Sequence, residues 1–312
     1  MIAAQYITLS ELQRRVRQVL EERFALPLWV SAEIAEVKVN YSGHCYLELV
    51  EKGEGDGVPK AQARAVIWRS QYARIAAYFE AETGQRLAAG MRILAKATVN
   101  YHELYGFSLQ LLDVDPAYTL GDMERQRQQT IARLQAEGVW EMNRQQAMPA
   151  VVQCIAVVSS SRAAGYQDFC NELAKSPYRF CLTLFDAVVQ GAAAEDSIVD
   201  ALSRIAAAGE AFDAVVMIRG GGSSSDLNCF NAYRLCNHVA QFPLPVVTGI
   251  GHDKDTSVAD LVAHTALKTP TAVAAWLVER MAQADGYLAW AGLQLGNAAL
   301  AITHSAAVGL ER

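Results

Sequence analysis

The alternation of apolar and polar residues divides the chain into regions of different rhythm. Over residues 8–24 apolar residues recur at helical spacing, which predicts an N-terminal helix. Residues 28–115 then contain five stretches in which apolar and polar residues alternate, with turn residues between them. Such stretches are typical of strands with one buried face. A helical pattern near Tyr72–Glu82 interrupts the series.

Five alternating strands predict a small all-β Greek-key barrel. The OB-fold is a five-stranded barrel of this kind, and it often holds single-stranded nucleic acid. A barrel with a purely structural role fits the same pattern. We therefore expect residues 1–117 to form an OB-fold domain preceded by a helix, followed by a polar connecting helical segment at 118–150. Gly138 interrupts that segment and Pro149 closes it.

From Val151 onward, continuous apolar stretches alternate with helical patterns. This rhythm predicts an α/β domain over residues 151–270, with a mainly parallel sheet covered on both faces. The four strand candidates are VVQCIAVVSS, FCLTLFDAVV, FDAVVMIRG and LPVVTGIG. The predicted helical segments are Gly165–Ser176, Ala192–Ala208, Ser224–Gln241 and Thr256–His264. Residues 271–312 are rich in alanine and helical, and we expect them to be the truncated start of a longer helix.

Composition limits the functions that remain. The chain has 312 residues, 52% of them hydrophobic, which is enough for two domains with real cores. It has 27 Lys and Arg against 33 Asp and Glu, so a nucleic acid would have to be held in a local groove rather than by bulk charge. No apolar run approaches the length of about 18 residues that would indicate a membrane span. Six cysteines without a C-x-x-C pair suggest reduced thiols of a cytoplasmic protein.

The residues that follow the predicted parallel strands are the first candidates for a site. In open α/β sheets, ligands bind beyond the carboxyl ends of the strands. The exit residues are Ser159–Ser161, Arg219–Ser223 and Gly249–His252, and we expect all three sets to converge on one edge.

The run RGGGSSSDL predicts an anion-binding turn. Three consecutive glycines cost backbone entropy, and they make sense where backbone N–H groups must approach a ligand closely. Arg219 adds a guanidinium suited to phosphate oxygens. The alternative is a flexible surface turn. The spacing matches neither a dinucleotide fingerprint nor a P-loop.

Two further stretches contain residues suited to acid–base chemistry. Asp168 lies early in a predicted helix, where it faces the same crevice as Arg219 or only compensates the helix dipole. In GIGHDKDTSVAD, His252 is suited to proton transfer, and Asp255 to orienting it, holding a metal or positioning water. The alternative is that His252 is buried and that Asp255 or Thr256 caps a helix. No zinc-ligand spacing is present. Together with Arg219 and the glycine turn, these residues favour a reaction at a phosphate group.

Several motifs occur together and in a fixed order: LWVSAEIAEVKVNYSGHCYLEL, VVSSSRAAGYQDF, RGGGSSSDLNCFN, GIGHDKDTSVADLVA and TPTAVAA. Through them the sequence resembles the large-subunit family of exodeoxyribonuclease VII, a bacterial nuclease of single-stranded DNA. The resemblance implies an OB-fold DNA-binding domain, a catalytic domain and a helical region that assembles with several copies of a small subunit. It also implies hydrolysis from both ends of the strand, with 5′-phosphate products.

The resemblance assigns catalytic roles to Asp168, Arg219, His252 and Asp255. It implies that no metal is strictly required, with magnesium as an optional stimulant. Asp253 stands where relatives commonly have Glu, and Ala266 where they have Arg. The residues that we expect to bind substrate are Ser159, Ser160, Gly220, Gly221, Gly222 and Ser223 in the crevice, and Tyr41, His44 and Tyr46 on the barrel. The alternatives are a module that binds single-stranded DNA or a nucleotide without cleaving it, and a small-molecule phosphohydrolase.

Overall fold

The computed structural model describes residues 6–53, 58–191, 193–208, 212–220, 224–251 and 256–310. Contacts within the chain divide it into two compact units, with the main boundary between Gln128 and Gln129. The first unit contains the barrel and the second the parallel sheet.

The first unit is built around a closed barrel of five strands, in the order β1-β2-β3-β5-β4. The alternation that predicted these strands is seen in their burial, because Cys45, Leu47 and Leu49 lie in the core while Tyr46 is exposed. The pair β3–β5 is parallel, and the other pairs are antiparallel. The elements are α1 (Leu9–Arg23), β1 (Leu28–Val39), β2 (Cys45–Lys52), β3 (Pro59–Ile67), α2 (Arg69–Thr83), β4 (Arg92–His102) and β5 (Gly106–Asp115).

The helices of this unit begin and end at local signals. The Thr8 hydroxyl accepts a hydrogen bond from the Glu11 N–H at 3.2 Å and caps α1. Helix α2 ends at Gly84, whose φ of +69° lies in the left-handed region that glycine adopts most easily. It buries Ile75 and Phe79 in the barrel core. The predicted helical insert is confirmed and is longer than expected.

Helix α3 (Pro116–Ala136) follows β5 directly. Gly138, with φ +72°, lies just after the end of this helix, at the position where the sequence predicted an interruption. The expectation that the helical segment continues beyond Gly138 to Pro149 is wrong, since residues 140–145 form turns. The side chain of Asn143 explains why the segment turns. Its amide N–H groups donate to the Phe242 and Leu244 carbonyls, at 3.1 and 2.9 Å.

The second unit contains a five-stranded sheet in the order β10-β9-β8-β6-β7, in which every neighbouring pair is parallel. The strands are β6 (Cys154–Ser159), β7 (Cys181–Asp186), β8 (Ala214–Ile218), β9 (Val246–Gly249) and β10 (Thr265–Ala266). The helices are α4 (Ala164–Ala174), α5 (Ala194–Ala207), a 3₁₀ helix (Ser224–Asn231), α6 (Tyr233–Ala240), α7 (Val258–Val262) and α8 (Pro270–Leu310).

Helices cover both faces of this sheet, as the continuous apolar strands predicted. Ile155 and Val157 of β6 pack in one cluster with Phe169 of α4 and Leu277 of α8. The intervening residues of β6 pack on the other face, in a cluster with α5, α6 and α7. Alternate residues of a buried strand therefore serve two cores.

Three elements differ from the prediction. The helix expected over Ser224–Gln241 is split into the 3₁₀ helix and α6, because Ala232 between them is extended. Helix α7 covers only Val258–Val262 of the expected Thr256–His264. Strand β10 was not predicted, since two residues are too short to give a periodic signal.

Two expectations from composition can be compared with the described residues. All six cysteines are free, and Cys154 and Cys181 lie in strands as predicted. Within the described ranges, no helix combines the length and the apolar character that crossing a membrane requires.

Candidate active site

The strand order of the sheet creates a crevice at one edge. From β6 the chain moves to β7 on one side and then crosses to β8 on the other, so the order reverses between β6 and β8. Ligands of open parallel sheets bind at such a reversal, beyond the carboxyl ends of the strands. The backbone N–H of Arg219 donates to the carbonyl of Gly249 at 3.4 Å. For the described residues, the predicted convergence of the strand exits is confirmed.

The loop after β6 forms one side of this edge. Ser159 is fully buried, and its hydroxyl has no hydrogen-bond partner in the described part of the chain. Ser160 is half-buried, and its carbonyl accepts a hydrogen bond from the Ala163 N–H at 2.9 Å. The turn therefore places both predicted serines at the start of the crevice, with Ser160 nearer to solvent.

Asp186 holds this loop and was not predicted. It ends β7 opposite Ser159, and its Oδ1 accepts a hydrogen bond from the Ser161 N–H at 2.7 Å. Hydrogen bonds from Ser161 lower the pKa of Asp186, and the charges of Arg162 and Arg204 act in the same direction. Asp186 is therefore an anion at neutral pH that fixes the β6 exit. Its partner lies 25 residues away in the sequence, so no local pattern marks the contact.

Helix α4 begins at the same edge without a side-chain cap, and it carries the carboxylate of Asp168. Its N-cap residue is Ala163, which offers no side-chain hydrogen bond, so the first N–H groups have no side-chain cap. Asp168 is exposed one turn further on. Among the described residues its carboxylate has no hydrogen bond or ion pair. The interaction of a carboxylate with the helix dipole falls off beyond the first turn, which weakens the explanation of Asp168 as dipole compensation.

Arg219 follows β8 and is only 5% exposed, so its guanidinium is held in place at the sheet edge. The next residue, Gly220, contacts the start of α4. A Cβ atom on Gly165 would lie 2.5 Å from the Gly220 Cα, which no side chain can accommodate. The first glycine of the run therefore permits close packing of two backbones, which the sequence reasoning did not foresee. Gly221, Gly222 and Ser223 lie outside the described residues.

The β9 exit is packed against the start of α8. A Cβ atom on Gly249 would lie 2.7 Å from Val273 Cγ2 and 3.1 Å from the Thr269 carbonyl oxygen. The hydroxyl of Thr269, in the T-P-T motif, accepts a hydrogen bond from the Ala272 N–H at 3.1 Å and starts α8. Ala266 is exposed in β10.

His252, Asp253, Lys254 and Asp255 lie in the range 252–255, which the structure does not describe. The helix that follows them is capped by Ser257, whose hydroxyl accepts a hydrogen bond from the Asp260 N–H at 3.2 Å. The alternative that Asp255 or Thr256 is the N-cap is therefore wrong. Asp260 also accepts a hydrogen bond from the Thr248 hydroxyl at 2.6 Å, which ties the start of α7 to β9.

The sequence left open that Asp255 holds a metal, and this residue lies outside the described ranges. Within the described ranges, no group of three or more His, Cys, Asp or Glu side chains is placed to hold an ion. The chemistry available there is that of a buried guanidinium, backbone N–H groups and the Asp168 carboxylate.

The predicted stacking residues of the barrel differ in their availability. Tyr41 is fully exposed in the β1–β2 turn, and Tyr46 is exposed on β2. His44 is half-buried, and its Nδ1 accepts a hydrogen bond from the Arg69 N–H at 3.1 Å. Its ring also packs edge-on against Trp68, with the centroids 4.9 Å apart. Tyr41 and Tyr46 thus present free ring surface, whereas His44 supports the start of α2.

Comparison with known proteins agrees with this division of the chain. A family model described as "Exonuclease VII, large subunit" matches residues 139–311. The chain belongs to the exonuclease VII large-subunit family. A second model, "OB-fold nucleic acid binding domain", matches residues 7–115 and confirms the predicted OB-fold.

Similar proteins carry the name exodeoxyribonuclease 7 large subunit. The protein from Deinococcus radiodurans is 38% identical over 291 residues, which cover 90% of this chain and 69% of that protein. The protein from Xanthomonas euvesicatoria is 33% identical, with 88% of this chain and 58% of the relative covered. The protein from Pseudomonas syringae is 33% identical, with 86% and 54% covered. The chain therefore spans little more than half the length of the last two members of the exonuclease VII family.

Proposed function

We propose that the chain is the catalytic large subunit of an exodeoxyribonuclease of the exonuclease VII type. Its substrate is single-stranded DNA, which it hydrolyses from both ends to give 5′-phosphate products. The observation that supports the proposal is the reversal of strand order between β6 and β8, where the buried Arg219 and the uncapped start of α4 lie at the carboxyl edge of a sheet whose residues match the exonuclease VII large-subunit model. Phosphodiesters are anions, and these groups suit their oxygens.

The roles follow from the bond that must break. A 5′-phosphate product requires cleavage between phosphorus and the 3′ oxygen, so water attacks phosphorus and the 3′ oxygen leaves. Arg219 and the backbone N–H groups stabilise charge on the non-bridging oxygens. His252 delivers a proton to the departing oxygen, and Asp255 or Asp168 positions the attacking water. The mechanism needs no metal in principle, and magnesium acts as a stimulant where it is present.

Substrate binding before hydrolysis is assigned to two places. In the crevice, Ser160 and the Gly220–Ser223 turn contact the phosphates, with Ser159 behind them. On the barrel, Tyr41 and Tyr46 stack on unpaired bases, an interaction worth roughly 1–3 kcal/mol per base. Stacking suits a chain of net charge −6, because it does not depend on a broad basic surface.

The small subunit is proposed to bind α8. This helix has 41 residues, and past its first turns its large apolar side chains are exposed. Those side chains are Tyr287, Leu288, Trp290, Leu293, Leu295, Leu300 and Ile302. An exposed apolar helix face of this length favours a helical partner.

The test is a nuclease assay on an end-labelled single strand, with the chain alone and with added small subunit, in EDTA and in magnesium. We expect His252→Ala to lose activity by about 10²–10⁴-fold, the contribution of a general acid. Lys254→Ala, two residues away, is the matched control and should keep activity. Equal activity of the two variants would remove His252 from the mechanism. Tight binding of the strand with no turnover under every condition would favour a non-catalytic binding module instead.

A further inference from the structure

Two cysteines face each other at the amino ends of β6 and β7. Cys154 and Cys181 are direct partners in the parallel register. Neighbouring strands are about 4.8 Å apart, and the Cα atoms of disulfide-bonded cysteines are usually about 4.4–6.8 Å apart. The backbone spacing is therefore within the range at which a bond between these residues can form.

Both side chains lie on the same face of the sheet. On β6, Ala156 and Val158 belong to the core cluster shared with α5, and on β7 Phe185 packs against that same cluster. Because side chains alternate along a strand, Cys154 shares the face of Ala156 and Cys181 shares that of Phe185. The two sulfur atoms are therefore neighbours and are not separated by the backbone.

The pair is accessible, and one of its strands has room to adjust. Cys181 is exposed and Cys154 is half-buried. Strand β7 is at the edge of the sheet, with β6 as its only neighbour among the described strands. Desolvation raises the pKa of the Cys154 thiol, and the facing Cys181 and the nearby Asp213 raise it further. The exposed thiol of Cys181 is therefore the one that reacts first with a reagent from solution.

Two buried cysteines, Cys45 and Cys236, serve as internal controls for reactivity. Burial raises the pKa of Cys45 to about 11, and burial also raises the pKa of Cys236. Cys45 pairs with Val39 and Ile67 on the two neighbouring strands of the barrel, so it has no cysteine beside it on either strand. Buried thiols of this kind are inert toward oxidants.

We propose that Cys154 and Cys181 form a reversible oxidation site that closes to a disulfide in the presence of hydrogen peroxide. Peroxide oxidises the Cys181 thiol to a sulfenic acid and releases one water. The Cys154 sulfur then attacks the Cys181 sulfur, the disulfide forms and a second water leaves. One peroxide thus consumes two thiol hydrogens and gives two waters. A small thiol reductant restores both thiols by exchange.

The bond should be easy to reduce. Side chains on neighbouring parallel strands start about 4.8 Å apart, whereas disulfides prefer a Cβ separation of about 3.8 Å. The bridge is therefore strained, and strained exposed disulfides are the labile ones. The pair lies at the amino ends of the strands, at the opposite edge from Arg219 and Asp168. The inference therefore does not depend on the proposed nuclease activity.

The test treats the full chain with hydrogen peroxide, blocks the remaining thiols by alkylation, and maps the peptides by mass spectrometry without reduction. We expect one cross-linked peptide pair containing Cys154 and Cys181, lighter by two hydrogens and released by dithiothreitol. Cys181→Ser should abolish it, and Cys170→Ser, a half-buried cysteine of α4, should leave it unchanged. The proposal is overturned if Cys181 is recovered as a sulfinic acid while Cys154 remains fully alkylated.

Discussion

Asn143 offers the sharpest test of how the sheet is held together. It is fully buried, and its amide N–H groups donate to the Phe242 and Leu244 carbonyls, at 3.1 and 2.9 Å. Its Oδ1 accepts hydrogen bonds from the backbone N–H groups of Val246 and His264, both at 2.9 Å. One side chain thus ties the turn after α3 to the start of β9 and to the approach to β10.

Replacing Asn143 with alanine leaves two carbonyls and two N–H groups without their partner. Each buried group that loses its partner costs about 1–3 kcal/mol, although water entering the space offsets part of this. We therefore expect a loss of about 3–5 kcal/mol in the free energy of unfolding, a large share of the roughly 5–15 kcal/mol typical of a folded protein. Denaturant titration followed by tryptophan fluorescence and circular dichroism measures it.

Two further variants separate hydrogen bonding from packing. Asn143→Asp keeps the size of the side chain but loses the donors and places a charge beside two carbonyls. The pKa of that carboxyl should be raised in the folded state, so the variant should regain stability as the pH falls. Asn171→Ala, on the exposed face of α4, is the control and should change stability by less than about 0.5 kcal/mol. A loss below about 1 kcal/mol in Asn143→Ala would refute the reasoning.

Two other predictions concern packing and pH. Gly165→Ala should displace the start of α4 from Gly220, since the new Cβ would lie 2.5 Å from the Gly220 Cα; both the denaturation midpoint and nuclease activity should fall. Burial of the imidazole and the charge of Arg280 lower the pKa of His264 from its ordinary value of 6.5, and a hydrogen bond with the Gln146 backbone opposes them only in part. The unfolded chain then takes up the proton more readily, so stability should fall as the pH drops below about 6.5, and His264→Gln should reduce that slope in pH-dependent unfolding curves.

Each of these has its own control. Gly286→Ala, in α8, introduces a Cβ with no atom within 4 Å, so it should be neutral or stabilising by up to about 1 kcal/mol. If Gly165→Ala behaves in the same way, the close approach to Gly220 does not constrain the site. If His264→Gln and the parent chain lose stability equally on acidification, other groups account for the pH dependence.

The apolar rhythm predicts both units of the fold because it reflects burial directly. Alternation along β2 corresponds to a strand with one buried face, and the continuous apolar residues of β6 correspond to a strand buried on both faces. A stretch of a few residues is enough to recognise either pattern. Gly138 was recognised as an interruption but not as the end of the helical region, where its left-handed backbone favours glycine.

What the sequence could not predict depends on distant partners. Asn143 bonds to groups 99–121 residues away, and the contact of Gly165 with Gly220 spans two loops. Asp186 similarly serves a loop from another strand. A single polar residue or glycine in a turn has no periodic signal, so its role becomes visible only when the strands have been placed side by side.

Helix α8 has a mechanical consequence for the sheet edge. In its first turns, Val273 and Leu277 pack in the core of the second unit. Val273 and Thr269 also lie against Gly249. A helix of 41 residues is about 60 Å long, so a tilt of about 5° at its base moves its far end by about 5 Å. A molecule that binds the far end of α8 in only one tilt of the helix favours that tilt. By thermodynamic linkage, it also favours one arrangement of the residues around Gly249. A tilt of α8 is therefore coupled to the arrangement of the β9 exit.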